Sequence, residues 1–403
     1  MRPFDKRRVL LGVTGGIASY KSAWLARLLG KAGAEVDVVL TASAAEFIGQ
    51  VTFEALTGRA VHSGLFDAGR ALDHIKLARE AQAVVVAPAT ADFIARAAAG
   101  QAGDLLSAVL LATKAPVLIV PAMNDAMWAH RQTVENVKHL RDVLGYRIIE
   151  PEEGMLAAGE GSGPGRMPEP ETILAHIGRL LETEVALRGK RVLVTAGPTR
   201  EAIDPVRFIS NRSSGKMGVA LAAAAWRRGA DVTLVAGPMS VPPPVGVSTL
   251  EVETTEEMAE AVGRALPSAH ALIMAAAPAD FRAESPATSK IKKKSAPKSV
   301  ELTPTPDILA STRSARAKNA VIVGFALETD DAVRGGREKL DTKALDLIVV
   351  NDAREAGAGF EVDTNRVTLV SRDGNEEVLP LLSKDQVADE ILDRVEKLLR
   401  DRS

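Results

Sequence analysis

The sequence contains no cysteine. Disulfides, thiolate metal sites and a cysteine nucleophile are therefore excluded before any motif is read. Charge of one sign is not in excess either: 50 basic residues face 52 acidic ones, a net charge of −2 at neutral pH. That balance removes a global electrostatic case for nucleic acid or a membrane surface and leaves only local basic patches to consider. Long apolar runs are missing too. The longest, Ser107–Ala122, is broken by Lys114 and falls short of the roughly 20 residues a bilayer-spanning helix needs. The basic stretch Met1–Arg8 leads into apolar residues that soon meet Ser19, Tyr20 and Lys21 without a small-residue cleavage pattern, so no secretory signal is expected and the cytoplasm is the expected location. Asn and Gln are scarce, and with the missing cysteine this resembles the avoidance of labile residues in thermophiles.

What is present reads as globular: 46% of the 403 residues are hydrophobic and 25% charged. At roughly 100–200 residues per domain the length predicts two or three domains. Strand-like Val9–Thr14, the turn Gly15-Gly16, a helical stretch over Ala18–Ala32 and strand-like Val36–Leu40 form a βαβ unit. Ala83–Ala87 and Pro116–Pro121 continue the alternation, and the all-apolar run Val84-Val85-Val86 fits a strand covered on both faces. A helical stretch over Glu171–Leu187 leads to Arg188-Gly189-Lys190, after which the alternation starts again. The second set of strand patterns is Arg191–Thr195, Asp231–Val235, Ala271–Ala276, Val321–Phe325 and Leu345–Val350, spaced by helical stretches such as Val219–Arg228 and Thr255–Leu266. The restart divides the chain into 1–188 and 189–403. Both halves read as doubly wound α/β domains, whose ligands sit beyond the carboxyl ends of the strands.

Two segments interrupt the pattern. Gly154–Met167 carries five glycines and reads as a mobile flap rather than a packed element. Glu284–Pro306 carries Lys290, Lys292, Lys293, Lys294 and Lys298 among turn residues, a solvated loop by default that nevertheless follows a strand end. The first βα turn, Gly12–Ile17, lets a phosphate approach a helix N-terminus. The second strand then ends in Thr41 and Ser43, not in the carboxylate that would hold a ribose diol. These hydroxyls either serve a flavin mononucleotide phosphate or simply cap a helix, and they disfavour an NAD-dependent dehydrogenase. His74 at a helix start and Asn124 after another strand end are candidates to line the same crevice.

Several longer motifs are less generic. Val9–Ser22, His74–Ala78, Pro88-Ala89-Thr90-Ala91, Pro121-Ala122-Met123-Asn124 with Met127-Trp128, and Gly154–Met167 together resemble the flavin-dependent decarboxylases of phosphopantothenoylcysteine. Ala196–Glu201, Asp204–Arg207, Ser210–Gly218, Ala276–Asp280 and Gly324-Phe325-Ala326 resemble the partner ligase. In this order the halves are similar to the bacterial bifunctional family of coenzyme A biosynthesis. The resemblance implies two Rossmann-like three-layer domains, a flavodoxin-like flavoprotein domain followed by the ligase. It also implies FMN as cofactor, 4′-phosphopantothenate, L-cysteine and CTP as substrates, Mg²⁺ bridged by the triphosphate, and a homo-oligomer, a dodecamer of decarboxylase trimers and ligase dimers.

For the ligase half the resemblance implies that Lys290 assists cytidylate formation and that Asn211 contacts the acyl group of the intermediate, with Arg207, Ser213 and Ser214 beside the substrate. CTP is expected at Met274, Ala275, Ala276, Asp280, Lys290, Pro306, Asp307, Ile308, Leu309, Phe325, Lys339 and Lys343. The last two are four apart on a predicted helix and are expected to reach one nucleotide. For the first half it implies FMN at Gly15, Gly16, Ile17, Thr41, Ser43, Pro88, Ala89, Thr90, Ala91, Ser107 and Ala122, with His74 and Asn124 on the substrate. Relatives carry Leu-Ala-Cys-Gly in the flap, whose cysteine protonates an ene-thiolate; here the run is Leu156-Ala157-Ala158-Gly159, and the stretch to Met167 is one residue longer. Three readings of Ala158 stand open. Glu160 or, less favoured, Ser162 supplies the proton; or a solvent relay does; or the first half only binds FMN and scaffolds the ligase. A separate alternative makes the first half a regulatory flavin-fold module.

Overall fold

The computed structural model describes residues 2–65, 72–182, 186–292, 299–328, 332–352 and 362–402. The chain divides into two compact units, Met1–Thr183 and Glu184–Ser403. In the first, the strands Glu35–Leu40, Arg8–Val13, Ala83–Ala89, Val117–Pro121 and Arg147–Ile148 lie side by side in that order, all parallel. In sequence order this is 2-1-3-4-5, the flavodoxin-like arrangement, which reverses direction between the first and third strands. Side chains alternate along each strand, so Val9, Leu11, Val13 and Val85 join one apolar layer with Leu25 and Ile173, while Leu10, Val84 and Val86 join the other with Phe93 and Leu106. Two buried layers flank one sheet, as the unbroken apolar strand patterns require.

The second unit repeats the principle on a larger scale. Six strands of its main sheet, Arg191–Ala196, Asp231–Ala236, Ser248–Glu251, Ala271–Met274, Val321–Glu328 and Leu347–Asp352, are parallel and, numbered within that sheet, lie in spatial order 3-2-1-4-5-6. Antiparallel strands Val367–Ser371 and Glu376–Val378 extend one edge. This is the Rossmann order, with its switch point between Arg191–Ala196 and Ala271–Met274. Helices Lys216–Arg227 and Lys384–Asp401 pack together on the sheet. Between them Asp389, which is buried, accepts from both Arg227 and Arg228, and Arg228 also reaches Asp393 at 2.8 Å and Glu396 at 3.0 Å. These carboxylates outweigh burial and raise the proton affinity of Arg228 above its ordinary value, so the pair stays charged.

Three sequence expectations change. Gly154–Met167 is a two-stranded antiparallel hairpin, Glu152–Met155 against Ser162–Arg166. Gly154, Gly163 and Gly165 permit close approach, while Gly159 and Gly161 take positive φ at the turn. A Cβ on Gly165 would lie 2.2 Å from the carbonyl oxygen of Met123, whose own N–H donates to the Gly165 carbonyl at 3.0 Å. Glu284–Pro306 is not all loop: its residues Leu302–Pro304 form a strand paired antiparallel with Phe281–Ala283, and Lys293, Lys294 and Lys298 lie outside the described residues. The helix expected to reach Leu187 ends at Leu181, where Glu182 turns to extended backbone.

Asp389→Ala removes the buried carboxylate that Arg227 and Arg228 share, leaving Arg228 with Asp393 and Glu396, so the second unit should lose about 3 kcal/mol of unfolding free energy. A fall in the urea midpoint of that unit's transition reads it; an unchanged midpoint contradicts it.

Candidate functional site

Each switch point holds a cavity. In the first unit it has about 480 Å³, within the range that takes a mononucleotide-sized ligand. The turn Gly15–Ala18 forms one side, and Pro88, Thr90 and Ala91 at the end of the third strand form another. Thr14 ties the two turns: its hydroxyl donates to the Pro88 carbonyl at 2.8 Å and accepts from the Thr90 N–H at 3.0 Å. A Cβ added at Gly16 would meet only Thr90 Cγ2, at 3.9 Å, and no side chain caps helix Ser19–Ala32 at Ala18. Backbone N–H groups at an uncapped helix start, beside an open glycine, suit the phosphate of a flavin mononucleotide.

Ala122 and Asn124 line the far side, and the hairpin tip closes over them with Leu156, Ala157, Ala158 and Glu160. The tip is a tight turn, with Leu156 N–H donating to the Gly161 carbonyl at 2.9 Å and Glu160 N–H to the Ala157 carbonyl at 3.0 Å. Glu160 is the one carboxyl among the described lining residues. Lys21, which the motif reading quoted without a role, is buried at the cavity wall and donates to the Met167 carbonyl at 2.8 Å and to Glu169 at 3.1 Å, anchoring the hairpin's exit. Ala89, Thr41, Ser43, Ser107 and His74 do not line the cavity. Thr41 caps the short helix Ala42–Ala45 by accepting from Ala44 N–H, Ser43 lies inside that helix against Gly15, and Ser107 completes a capping box with Asp104. The buried Nδ1 of His74 has no hydrogen-bond partner among the described residues.

The second unit's cavity, about 400 Å³, gathers Asn211–Gly218, Ala275–Pro278, Asp280, Phe325, Ala326 and Lys339. Asn211 is fixed by donating its side-chain amide to the Pro278 carbonyl at 2.8 Å. Lys339 lines the cavity but Lys343 does not: helix Ala332–Thr342 ends before it, and its ammonium pairs with Asp307 at 3.2 Å. Asp307 in turn caps helix Ile308–Ser311, where Ile308 and Leu309 are core, and Met274 is buried in its strand. Pro306, Lys290 and Arg207 also lie outside the lining. Polar residues that line it without a role from the sequence include Arg212, Lys216, Asn351, Asn365 and Lys384. Among the described residues no three His, Cys, Asp or Glu side chains gather to hold a metal ion, and no helix is long and apolar enough to cross a membrane.

Asp204, also unassigned by the sequence, organises the base of the Lys290 arm. Its carboxylate accepts from the N–H groups of Val206 at 2.8 Å, Arg207 at 2.9 Å and Ile291 at 3.1 Å, and from the Arg207 side chain. Arg207 also donates to the Ile291 carbonyl at 2.7 Å. The Arg207 guanidinium, with those N–H groups, holds the Asp204 carboxyl well below the usual carboxylate range against the opposing effect of burial.

The chain matches two family models: Flavoprotein over residues 2–182, and DNA/pantothenate metabolism flavoprotein C-terminal domain over residues 187–399. It is 46% identical over 396 residues to the coenzyme A biosynthesis bifunctional protein CoaBC of Vibrio cholerae, covering 97% of this chain and 98% of that one. It is 47% identical over 404 residues to the protein of that name from Mycobacterium tuberculosis H37Rv, covering 96% of each. A crystal structure of the C-terminal domain of a CoaBC protein is 41% identical, with TM-score 0.46, covering 54% of this chain and 98% of that one.

Because the Asp204 acidity is depressed, its contribution is present above the ordinary carboxylate value and is lost only as pH falls through the lower folded value. Hydrogen exchange at the Ile291 amide, corrected for intrinsic rate, should therefore stay constant between about pH 5 and about pH 8. In Asp204→Asn it should be faster throughout that range; protection that fades within it in the unaltered protein contradicts the assignment.

Proposed function

The chain belongs to the family of bifunctional coenzyme A biosynthesis proteins, and on that premise we propose how its two cavities divide the work. It is a coenzyme A biosynthesis enzyme with ligase and decarboxylase activities. The second unit condenses 4′-phosphopantothenate with L-cysteine at the expense of CTP. The substrate carboxylate attacks the α-phosphorus of CTP and expels pyrophosphate; the cysteine amine then displaces CMP from the acyl-cytidylate to leave an amide. The observation that carries this reading is the convergence of Asn211–Gly218, Ala275–Pro278 and Phe325 at the Rossmann switch point, with Asn211 pinned on Pro278.

A fixed neutral amide holds the acyl oxygen without adding charge that the leaving CMP would have to overcome. Ala275, Ala276 and Asp280 border the base and sugar, with Met274 behind them and the Pro306–Leu309 turn nearby. Lys339 faces the nucleotide, and Lys343 acts one step removed by fixing Asp307. Lys290 lies on the arm that Asp204 and Arg207 anchor at Ile291, which supports a role in closing positive charge over the triphosphate. Ser213 and Ser214 lie just before helix Lys216–Arg227, and Mg²⁺ bound with CTP would offset the charge of the triphosphate.

The first unit takes the amide product to 4′-phosphopantetheine. Gly15, Gly16, Ile17, Pro88, Thr90 and Ala91 would hold FMN, which would supply the reversible two-electron chemistry that oxidation of the cysteinyl side chain and the later reduction require. Asn124 holds the cysteinyl carboxyl with Ala122 on the FMN side, and the family resemblance supports a substrate role for His74, whose unpartnered Nδ1 lies outside this cavity's lining. Ala158 carries no proton. Glu160, two residues along the same tip and lining the same cavity, donates the proton to the ene-thiolate carbon as the hydride returns. Thr41 and Ser107 support the cradle through the helices they cap. The family resemblance further supports a cytoplasmic homo-oligomer, a dodecamer, and exposed Ile17, Tyr20 and Trp24 at the cavity's rim helix suit a subunit contact.

Fed phosphopantothenoylcysteine, the unaltered protein should release carbon dioxide and yield phosphopantetheine. Glu160→Gln should slow the reductive half by roughly 100-fold, the usual worth of a general acid, so that the ene-thiol two hydrogens short of the product accumulates. Mass spectrometry separates the two. Equal phosphopantetheine from both proteins removes Glu160 from the role, and an unaltered protein that stops at the ene-thiol leaves the first unit without its reductive step.

A further inference from the structure

The ligase cavity has more positive charge than its assigned residues need. Among its described lining residues Arg212, Lys216, Lys339 and Lys384 face a single carboxylate, Asp280. Two of these lysines are placed against the ordinary preference of a helix. Lys216 is the first residue of helix Lys216–Arg227 and Lys384 the first of helix Lys384–Asp401, where the partial positive charge of the helix disfavours a cation. The two helix starts open on the same cavity. Lys384 is only 7% exposed, and burial together with the Lys216 charge pushes its ammonium below the ordinary lysine value. The Val362 carbonyl accepts from Lys384, and Lys216 pairs at 2.6 Å with Asp363, whose side chain is 87% exposed. Asn351 and Asn365, joined by a 2.9 Å hydrogen bond, add polar side chains to the same lining.

We propose that Lys216 and Lys384 form a seat for a phosphoryl dianion of the ligase reaction, with Asp363 as the exposed counter-ion that the phosphoryl group displaces. This deepens the ligase reading and rests on it. Two like charges at two helix starts, Lys384 buried and Lys216 half-buried, become favourable together when one dianion bridges them, and the backbone N–H groups of both first turns are then available to the same oxygens. Two phosphates of the reaction have this chemistry, the triphosphate of CTP and the 4′-phosphate of phosphopantothenate. Neither lysine touches the reacting carbonyl in this arrangement; both bind and position.

Titration calorimetry of the full chain with CTP, cytidine, inorganic pyrophosphate, 4′-phosphopantothenate and pantothenate tests it. Lys384→Gln should weaken one phosphorylated ligand by roughly ten- to a hundredfold while its unphosphorylated counterpart is unchanged, and Lys384→Arg should recover most of the loss. A loss confined to CTP and pyrophosphate assigns the seat to the triphosphate; a loss confined to phosphopantothenate, absent with pantothenate, assigns it to the 4′-phosphate. Lys216→Gln should follow Lys384→Gln, and Asp363→Asn should move affinity for the same ligand the other way. These two variants decide the matter if Lys384→Gln does not fold. Unchanged affinity for every phosphorylated ligand in both lysine variants overturns the inference and leaves the ligase reading intact; an unaltered protein that binds neither CTP nor phosphopantothenate overturns both.

Discussion

A parallel sheet whose strand order reverses cannot fill the space beyond its carboxyl edge at the point of reversal, because the loops on either side leave in opposite directions. Both units of this chain are built around that constraint. In the first the gap falls between Arg8–Val13 and Ala83–Ala89 and is lined by a glycine turn; in the second it falls between Arg191–Ala196 and Ala271–Met274 and is lined by Asn211–Gly218. The two buried apolar layers on each sheet fix the strands, and the strands fix which turns meet.

The same architecture is used for different electrostatics. The first cavity is lined mostly by small and apolar residues; of its charged ones, Lys21 and Arg166 both answer Glu169, and Glu160 stands on the hairpin tip. Such a lining suits a flat ring system and a single phosphate. The second is cationic, and its walls are held by helices whose buried Arg227, Arg228 and Asp389 cluster stands against their mutual displacement. Triphosphate chemistry demands that kind of rigid positive frame, since cations that must first be gathered stabilise a transition state less than cations already in place.

Much of the fold was legible because the apolar runs and glycine turns alternate cleanly, and Val84-Val85-Val86 could be nothing but a covered strand. The long run around Asn211 and Ser213 made the second cavity legible as well. Thr41 was readable in two ways, and the structure realises the cap. Three features escaped the sequence for physical reasons. The glycines of Gly154–Met167 looked like freedom of motion, whereas Gly165 is there because backbone packs on backbone. Lys339 and Lys343 share a helical spacing, yet the helix stops between them. Lys384 comes from a helix distant in the chain, and its only local sign is a cation placed directly after the cap Ser383.

The central claim is that one chain carries out both the CTP-dependent condensation and the complete decarboxylation despite having no cysteine. The most direct test supplies the purified protein with 4′-phosphopantothenate, CTP and cysteine labelled at its carboxyl carbon, and follows pyrophosphate, labelled carbon dioxide and phosphopantetheine together. The account predicts that the three appear in equal amounts. Pyrophosphate without labelled carbon dioxide, or carbon dioxide without phosphopantetheine, contradicts it.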